Sequence, residues 1–295
     1  MTTETMDNKV IQVVSNIRNL PTPPIVFHQI QKVIKDPKVS AAQIASILSE
    51  DPAMSVKVLK LTNSAFYGLA REVESVKQAV VIVGMEAIKN LVLSASVLDM
   101  FKGKDIDQDF QEKFWRHSLA TAFCGRILAR KLKSRGIVDA DLAFSAGLLH
   151  DIGKIVLCCF LQNEYKKFSE ARKADTQLQT FEVEDKVLGY NHSQIGALLA
   201  VQWKLPSKIG EAITYHHIPD KNINEDPTPY LICIANYIAK KTFYDKEESY
   251  LIGTLGPQIY SFMDFKPEDE EEYCELLRQE YLKSETFMQM VGIGG

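Results

Sequence analysis

The run His150-Asp151-Ile152-Gly153-Lys154 sets an imidazole, a carboxylate and an ammonium within five residues. Upstream His117 and downstream His192, His216 and His217 complete a set in which five of the chain's six histidines lie between residues 117 and 217. Histidine is the commonest side-chain metal ligand near neutral pH. Paired with a carboxylate, it suits zinc, iron(II) or manganese better than magnesium, which prefers oxygen. The chemistry implied is that of a buried metal centre of the kind that hydrolyses phosphate esters, or of its remnant. Asp151 has two oxygens with which to bridge two ions, and Lys154 is near enough to neutralise phosphate charge. Adjacent residues cannot share one face of a regular helix, so His150 and Asp151 reach one ion only where a helix ends. Gly153 is read as the source of that irregularity. Taken singly, each histidine has a plainer reading as a hydrogen-bonded core or surface residue. Their clustering at expected helix ends favours the metal. His28 lies outside the cluster and reads as structural.

The elements that must position these residues are helical nearly throughout. Val10, Ile11, Val14 and Ile17 repeat at helical spacing before a proline-rich turn at residues 20–24. Ser40 is an expected N-cap, as is Asp51, with Pro52 at a first helical position where a missing N–H costs nothing. Ser75 opens a helix that Gly84 ends. The spacing predicts a long helix over 110–132, with Trp115, Leu119, Phe123, Ile127 and Leu128 on its apolar side. Further helices are expected from Asp139 to His150, from Asn191 or Ser193 to Trp203, from Ser207 to His216 and from Pro229 to Lys241. Residues 267–273 begin a last helix, their acids offsetting the helix dipole. A composition shift at 102–108 divides a helical lobe over 1–105 from a histidine-rich half over 106–295.

Composition narrows the partners. A net charge of −4 points away from nucleic acid and anionic membrane surfaces. The helices around Asp51-Pro52 could be taken for a helix-turn-helix with Lys57 and Lys60 on phosphates. A packed pair is the better reading, because recognition arginines are absent. No apolar run is read as approaching the roughly 20 residues that cross a bilayer. The acidic, polar N-terminus does not read as a secretory signal. Cys124, Cys158, Cys159, Cys233 and Cys274 are odd in number and without CxxC spacing, so they read as buried, reduced thiols. A cytoplasmic setting is expected. Phe66, Tyr67 and Arg71 could form a protein-docking turn, although local packing is the simpler account.

His117 and the doublet within HDIGK resemble the HD superfamily of metal-dependent phosphohydrolases. The closer likeness is to its HDOD branch, the HD-related output domain of bacterial signalling proteins. It rests on residues 20–24 (LPTPP), residues 51–68 (DPAMSVKVLKLTNSAFYG), Ser75 to Ala79 with Val83-Gly84, Gly189 to His192 with Gly196, Trp203 to Pro206, and His216-His217. It covers about residues 20 to 240.

The resemblance implies an all-α fold, an HD-like helical bundle with an N-terminal helical lobe, in a bacterial protein. It puts the first metal histidine at His117 and the His-Asp doublet at His150 and Asp151, with His192, His216 and His217 as the later ligands. One or two divalent transition-metal ions (iron, manganese, zinc or nickel) are implied. Two positions depart from the superfamily pattern. Asn236 stands where the last aspartate is expected, and an amide binds cations far more weakly than a carboxylate. Lys113 stands where dinuclear relatives often carry a carboxylate. The Gly-Tyr-Pro signature of cyclic-di-GMP phosphodiesterases is absent, since Asn191 follows Gly189-Tyr190.

Two functions follow from these residues. In the preferred one the chain is a signalling output module with a metal pocket and weak or lost hydrolysis, its partner a signalling protein or a small phosphorylated ligand. In the other it is a working phosphohydrolase. Its metal would lower the pKa of a bound water, Asp151 would take part in catalysis, and Lys154 would stabilise the phosphoryl charge.

Overall fold

The computed structural model describes residues 8–17, 20, 22–100, 107–131, 138–175, 178–245, 248–290 and 292. Among them the chain is all-α, with no strand. In chain order the helices are α1 (Asn8–Ser15), α2 (Ile25–Val33), α3 (Ala41–Ser49), α4 (Pro52–Thr62), α5 (Val76–Val83) and α6 (Met85–Met100). Then come α7 (Gln108–Lys131), α8 (Ala140–Leu149), α9 (Ile152–Phe160), α10 (Gln162–Ala174), α11 (Thr180–Leu188) and α12 (His192–Gln202). The last are α13 (Ser207–Tyr215), α14 (Pro227–Phe243), α15 (Pro257–Met263), α16 (Glu270–Tyr281) and α17 (Glu285–Met290).

Two compact units result. One comprises Met1–Leu20 with Asp105–Arg278, the other Pro21–Lys104 with Gln279–Gly295. This differs from a single cut near residue 105, because both chain ends cross over. α1 buries Val10 and Val14 and packs on α12, while Lys9 Nζ donates to the Leu188 carbonyl. At the other end α17 packs on α4 and α6, and the fully buried Phe287 meets Phe66 edge-on at 5.3 Å. Phe66 also stacks edge-on against Tyr67, so these aromatics serve local packing. The expected composition break at 102–108 falls mostly on residues 101–106, which lie outside the described residues.

In the smaller unit the caps follow from sequence. Ser40 Oγ accepts from the Gln43 amide at 3.3 Å, and the Gln43 side chain accepts from the Ser40 amide at 2.8 Å, closing a capping box. Asp51 caps α4 through the Met54 amide at 2.9 Å. Lys57, the would-be phosphate contact, is held by Asp99 at 3.0 Å.

The larger unit is built on α7, which packs along α8 and α14, with α13 against α8, α12 and α14, and α9 against α12. Trp115, Leu119, Phe123 and Leu128 are all buried on α7. Contrary to the sequence reading, one stretch, Ala140–Phe160, is long and apolar enough to span a bilayer by length and composition. It is interrupted between α8 and α9 at His150-Asp151, and 78% of its most apolar window is buried inside the protein. Its apolarity supplies core. None of the five cysteines forms a disulfide; Cys124 and Cys274 are buried, and the other three are half-buried. Residues 267–269 form a 3₁₀ turn leading into α16, which is not the last helix, since α17 follows.

Candidate metal centre

The histidines are positioned by the ends of helices. α8 stops at Leu149 and α9 starts at Ile152, with Asp151 between them at φ −100°, ψ 12°. His150 Nδ1 donates to the Gly147 carbonyl at 2.6 Å. In an unbroken helix that carbonyl would accept from the Asp151 amide, so the imidazole takes over an acceptor the helix end would otherwise orphan. His216 repeats the device at the end of α13, donating from Nδ1 to the Ile213 carbonyl at 3.0 Å. His192 opens α12 behind the Asn191 cap, and both its amide and its Nδ1 donate to Glu184 Oε2, at 2.8 and 2.6 Å. Its neighbour in space, His217, lies stacked on Phe181 with ring centroids 4.4 Å apart.

Gly153 is not the source of the break, as sequence suggested; it lies inside α9. A Cβ there would sit 1.9 Å from the His192 carbonyl oxygen, so glycine is what lets α9 approach the start of α12. Gly147 plays the same part on α8, where a Cβ would lie 2.7 Å from Ala122 Cα on α7.

With every Nδ1 of His150, His192 and His216 committed, each Nε2 is left to face inward, and they converge on Asp151. Oδ1 of Asp151 lies 3.0 Å from His192 Nε2 and 3.5 Å from His216 Nε2. Oδ2 lies 3.3 Å from His150 Nε2, 3.5 Å from His117 Nε2 and 2.6 Å from Lys154 Nζ. Two more close pairs complete the cluster, His117 with His150 at 3.3 Å and His192 with His217 at 3.0 Å, Nε2 to Nε2. The donor atoms fall into two groups sharing Asp151: one with His192, His216 and His217, the other with His117 and His150.

Electrostatics keep most of these rings neutral. Burial pulls His117 and His216 down to about 3, and His217 is also held well below its ordinary value by burial and then by His216. For His192 burial is outweighed by Glu184 and Asp151, and its pKa is raised. Burial would raise Asp151, but His150, Lys154 and His192 hold the carboxyl well below its usual range. Neutral His216, donating at Nδ1, turns a lone pair towards a carboxylate oxygen, and neither that Nε2 nor Asp151 Oδ1 has a hydrogen-bond partner. Buried acceptors set against one another are costly. A cation between them removes the cost. Donors bound at about 2.1 Å to one ion lie about 3.0 to 3.4 Å apart, as these nitrogens do. The residues therefore fit a divalent transition metal.

The two departures separate in space. Lys113 is exposed on α7, paired with Asp109 at 3.3 Å and Glu248 at 3.7 Å, so it adds no charge to the cluster. Asn236, on α14, is buried, its Oδ1 without a partner, and it shares a cavity wall with His216 and His217. Three neighbours of the histidines escaped the sequence reading: Glu184, Phe181 and the buried Lys240. Glu184 has no local signal. Lys240 could have been suspected, lying one turn beyond Asn236 on an apolar helix.

Residues 20–219 match the HDOD domain, and the chain belongs to that family. An uncharacterised protein of Treponema pallidum (strain Nichols) is 26% identical over 239 residues, 81% of this chain and 45% of that protein. Ribonuclease Y of Thermus thermophilus is 31% identical over 105 residues, 36% of this chain and 13% of the enzyme. The chain thus spans less than half the length of these curated relatives. Among solved structures, a provisionally assigned signal transduction protein from Marinobacter aquaeolei VT8 superposes with a TM-score of 0.77 at 20% identity, covering 98% of this chain and 67% of that one. A provisionally assigned phosphohydrolase from Shewanella amazonensis SB2B gives 0.74 at 24% identity, covering 96% and 98%. At such identities the likeness is one of fold.

Proposed function

We propose that this HDOD protein is a bacterial, cytoplasmic signalling output module that holds one or two divalent transition-metal ions and hydrolyses phosphate esters weakly or not at all. The observation that carries the reading is the convergence of four Nε2 nitrogens on the two oxygens of Asp151. His192, His216 and His217 together with Asp151 would hold one ion, and His117 and His150 with the same Asp151 a second. Such an ion would supply Lewis acidity. The chain's own residues orient the imidazoles through Gly147, Ile213 and Glu184, and Lys154 offsets negative charge beside Oδ2. Asn236 is the reason to place the chain with weak catalysis. At the position where the resemblance expects a carboxylate, it can neither carry charge nor accept a proton as a base.

Elemental analysis of protein purified without chelator tests the metal. Iron, zinc, manganese or nickel is expected near stoichiometry and lost in His150→Ala; a metal-free wild type overturns the reading. For catalysis, a screen against nucleotides, cyclic dinucleotides and a generic phosphodiester with added manganese or iron(II) is expected to give little turnover. Clear turnover that vanishes in Asp151→Ala would instead establish a working phosphohydrolase. A gain of turnover in Asn236→Asp would identify the departure that matters.

A further inference from the structure

A cavity of about 260 Å³ is lined by His216 and His217 of the histidine cluster together with Lys240, Asn236, Phe181 and Thr254. Lys240 is only 7% exposed. Lysine is almost never buried this deeply without a paired charge. Yet among the described residues its ammonium has neither an ion pair nor a hydrogen bond. Asp151, whose charge reaches Lys240, is itself taken up by four imidazoles and by Lys154. Burial, and then the like charge of Lys154, pull Lys240 down to about 8, with the Asp151 charge opposing them. One turn earlier on α14, Asn236 is 5% exposed and its Oδ1 lacks a donor. The cavity therefore presents a cation without an anion and an acceptor without a donor. Both are nine-tenths buried or more, and both line the same space. Phe181, whose ring packs flat on His217, adds an apolar wall.

We propose that this cavity is a receptor site for a small hydroxylated oxyanion, the anionic oxygens meeting the Lys240 ammonium and a hydroxyl donating to Asn236. The volume is below the roughly 300 to 1,000 Å³ of cavities that bury drug-sized ligands, which suits a sugar phosphate and not a dinucleotide. The recognising groups, Lys240 and Asn236, both lie on α14, while His216 and His217 share the cavity wall. The site goes beyond the metal reading and stands or falls separately from it.

The test is calorimetric titration of the full chain with ribose 5-phosphate and, in a parallel arm, inorganic phosphate. Each is run on chelator-treated and on metal-repleted protein. Binding of ribose 5-phosphate is expected in both states, at least ten-fold weaker in Lys240→Met, with Lys240→Arg recovering part of the loss. Asn236→Leu is expected to abolish the preference for ribose 5-phosphate over phosphate. Thr254→Trp, at an exposed position on the cavity wall, is expected to block binding without touching either polar group, so a misfolded Lys240→Met would not leave the question open. No heat at millimolar ribose 5-phosphate in either state overturns the site. So does binding that appears only after metal repletion and is unchanged in Lys240→Met, because the anion would then sit on the metal. Failure of the wild type to take up metal, with anion binding intact, would sink the metal reading and leave this one standing.

Discussion

Glu184 Oε2 accepts twice from one residue, from the His192 amide at 2.8 Å and from His192 Nδ1 at 2.6 Å. The carboxylate thereby fixes the helix start and the ring at once, and leaves His192 Nε2 pointing at Asp151. Removing such a partner costs metalloproteins about 10- to 100-fold in affinity. Glu184→Gln keeps the shape and loses the charge. It is expected to weaken metal binding by that factor, measured by competition with a chromophoric chelator. An affinity within two-fold of wild type would show that the Glu184 charge does not tune the ring.

If the cluster holds an ion, the ion stabilises the larger unit in proportion to its occupancy. At a free concentration 100 times Kd the gain is about 2.7 kcal/mol. For a unit of this size that corresponds to a fall of about 5 to 10 °C in Tm on chelation. Asp151→Asn should melt at the same temperature with and without chelator, since its bridging charge is gone. A wild-type Tm indifferent to chelator and to added metal would contradict the metal reading.

Gly153 sets how closely α9 meets the His192 carbonyl. A methyl group at 1.9 Å from a backbone oxygen has no flexible side chain to displace, so the helices must part. Overpacking of this kind costs typically 1 to 3 kcal/mol and occasionally more. Gly153→Ala is expected to destabilise by about 3 kcal/mol in urea unfolding and to lower metal affinity, because His192 moves with α12. A stable, metal-competent Gly153→Ala would show that the contact is soft.

What the sequence could not reveal divides by range. Ser40, Asp51 and Ser75 cap through hydrogen bonds three residues away, and such bonds are written in local spacing. The long α7 was legible because Trp115, Leu119 and Phe123 recur on one face. By contrast α10 buries no residue and so carries no apolar period to read. Gly153 was assigned to the wrong task because its reason, the carbonyl of His192, lies 39 positions on and is seen only once α9 and α12 pack. Glu184 was missed for the same cause. The histidine cluster was visible as composition; which nitrogen of each ring faces Asp151 is a property of helix ends meeting in space.

Lys240 gives the last prediction its sign. Its pKa is about 8 in the folded chain against 10.5 when exposed, with burial the main cause and Lys154 next. The unfolded chain therefore binds more protons than the folded one between those two values, and stability rises with pH across that window. Below about 8 the full penalty applies, on the order of 3 kcal/mol. Lys240→Met removes the penalty. It is expected to be more stable than the wild type at pH 7 and to lose this advantage by pH 10.5, with urea unfolding as the measurement. A bound oxyanion pairs the ammonium and should erase the same difference at pH 7. If the wild type and Lys240→Met instead run parallel from pH 7 to 10.5, the ammonium is already compensated in the folded chain and carries no cost to relieve.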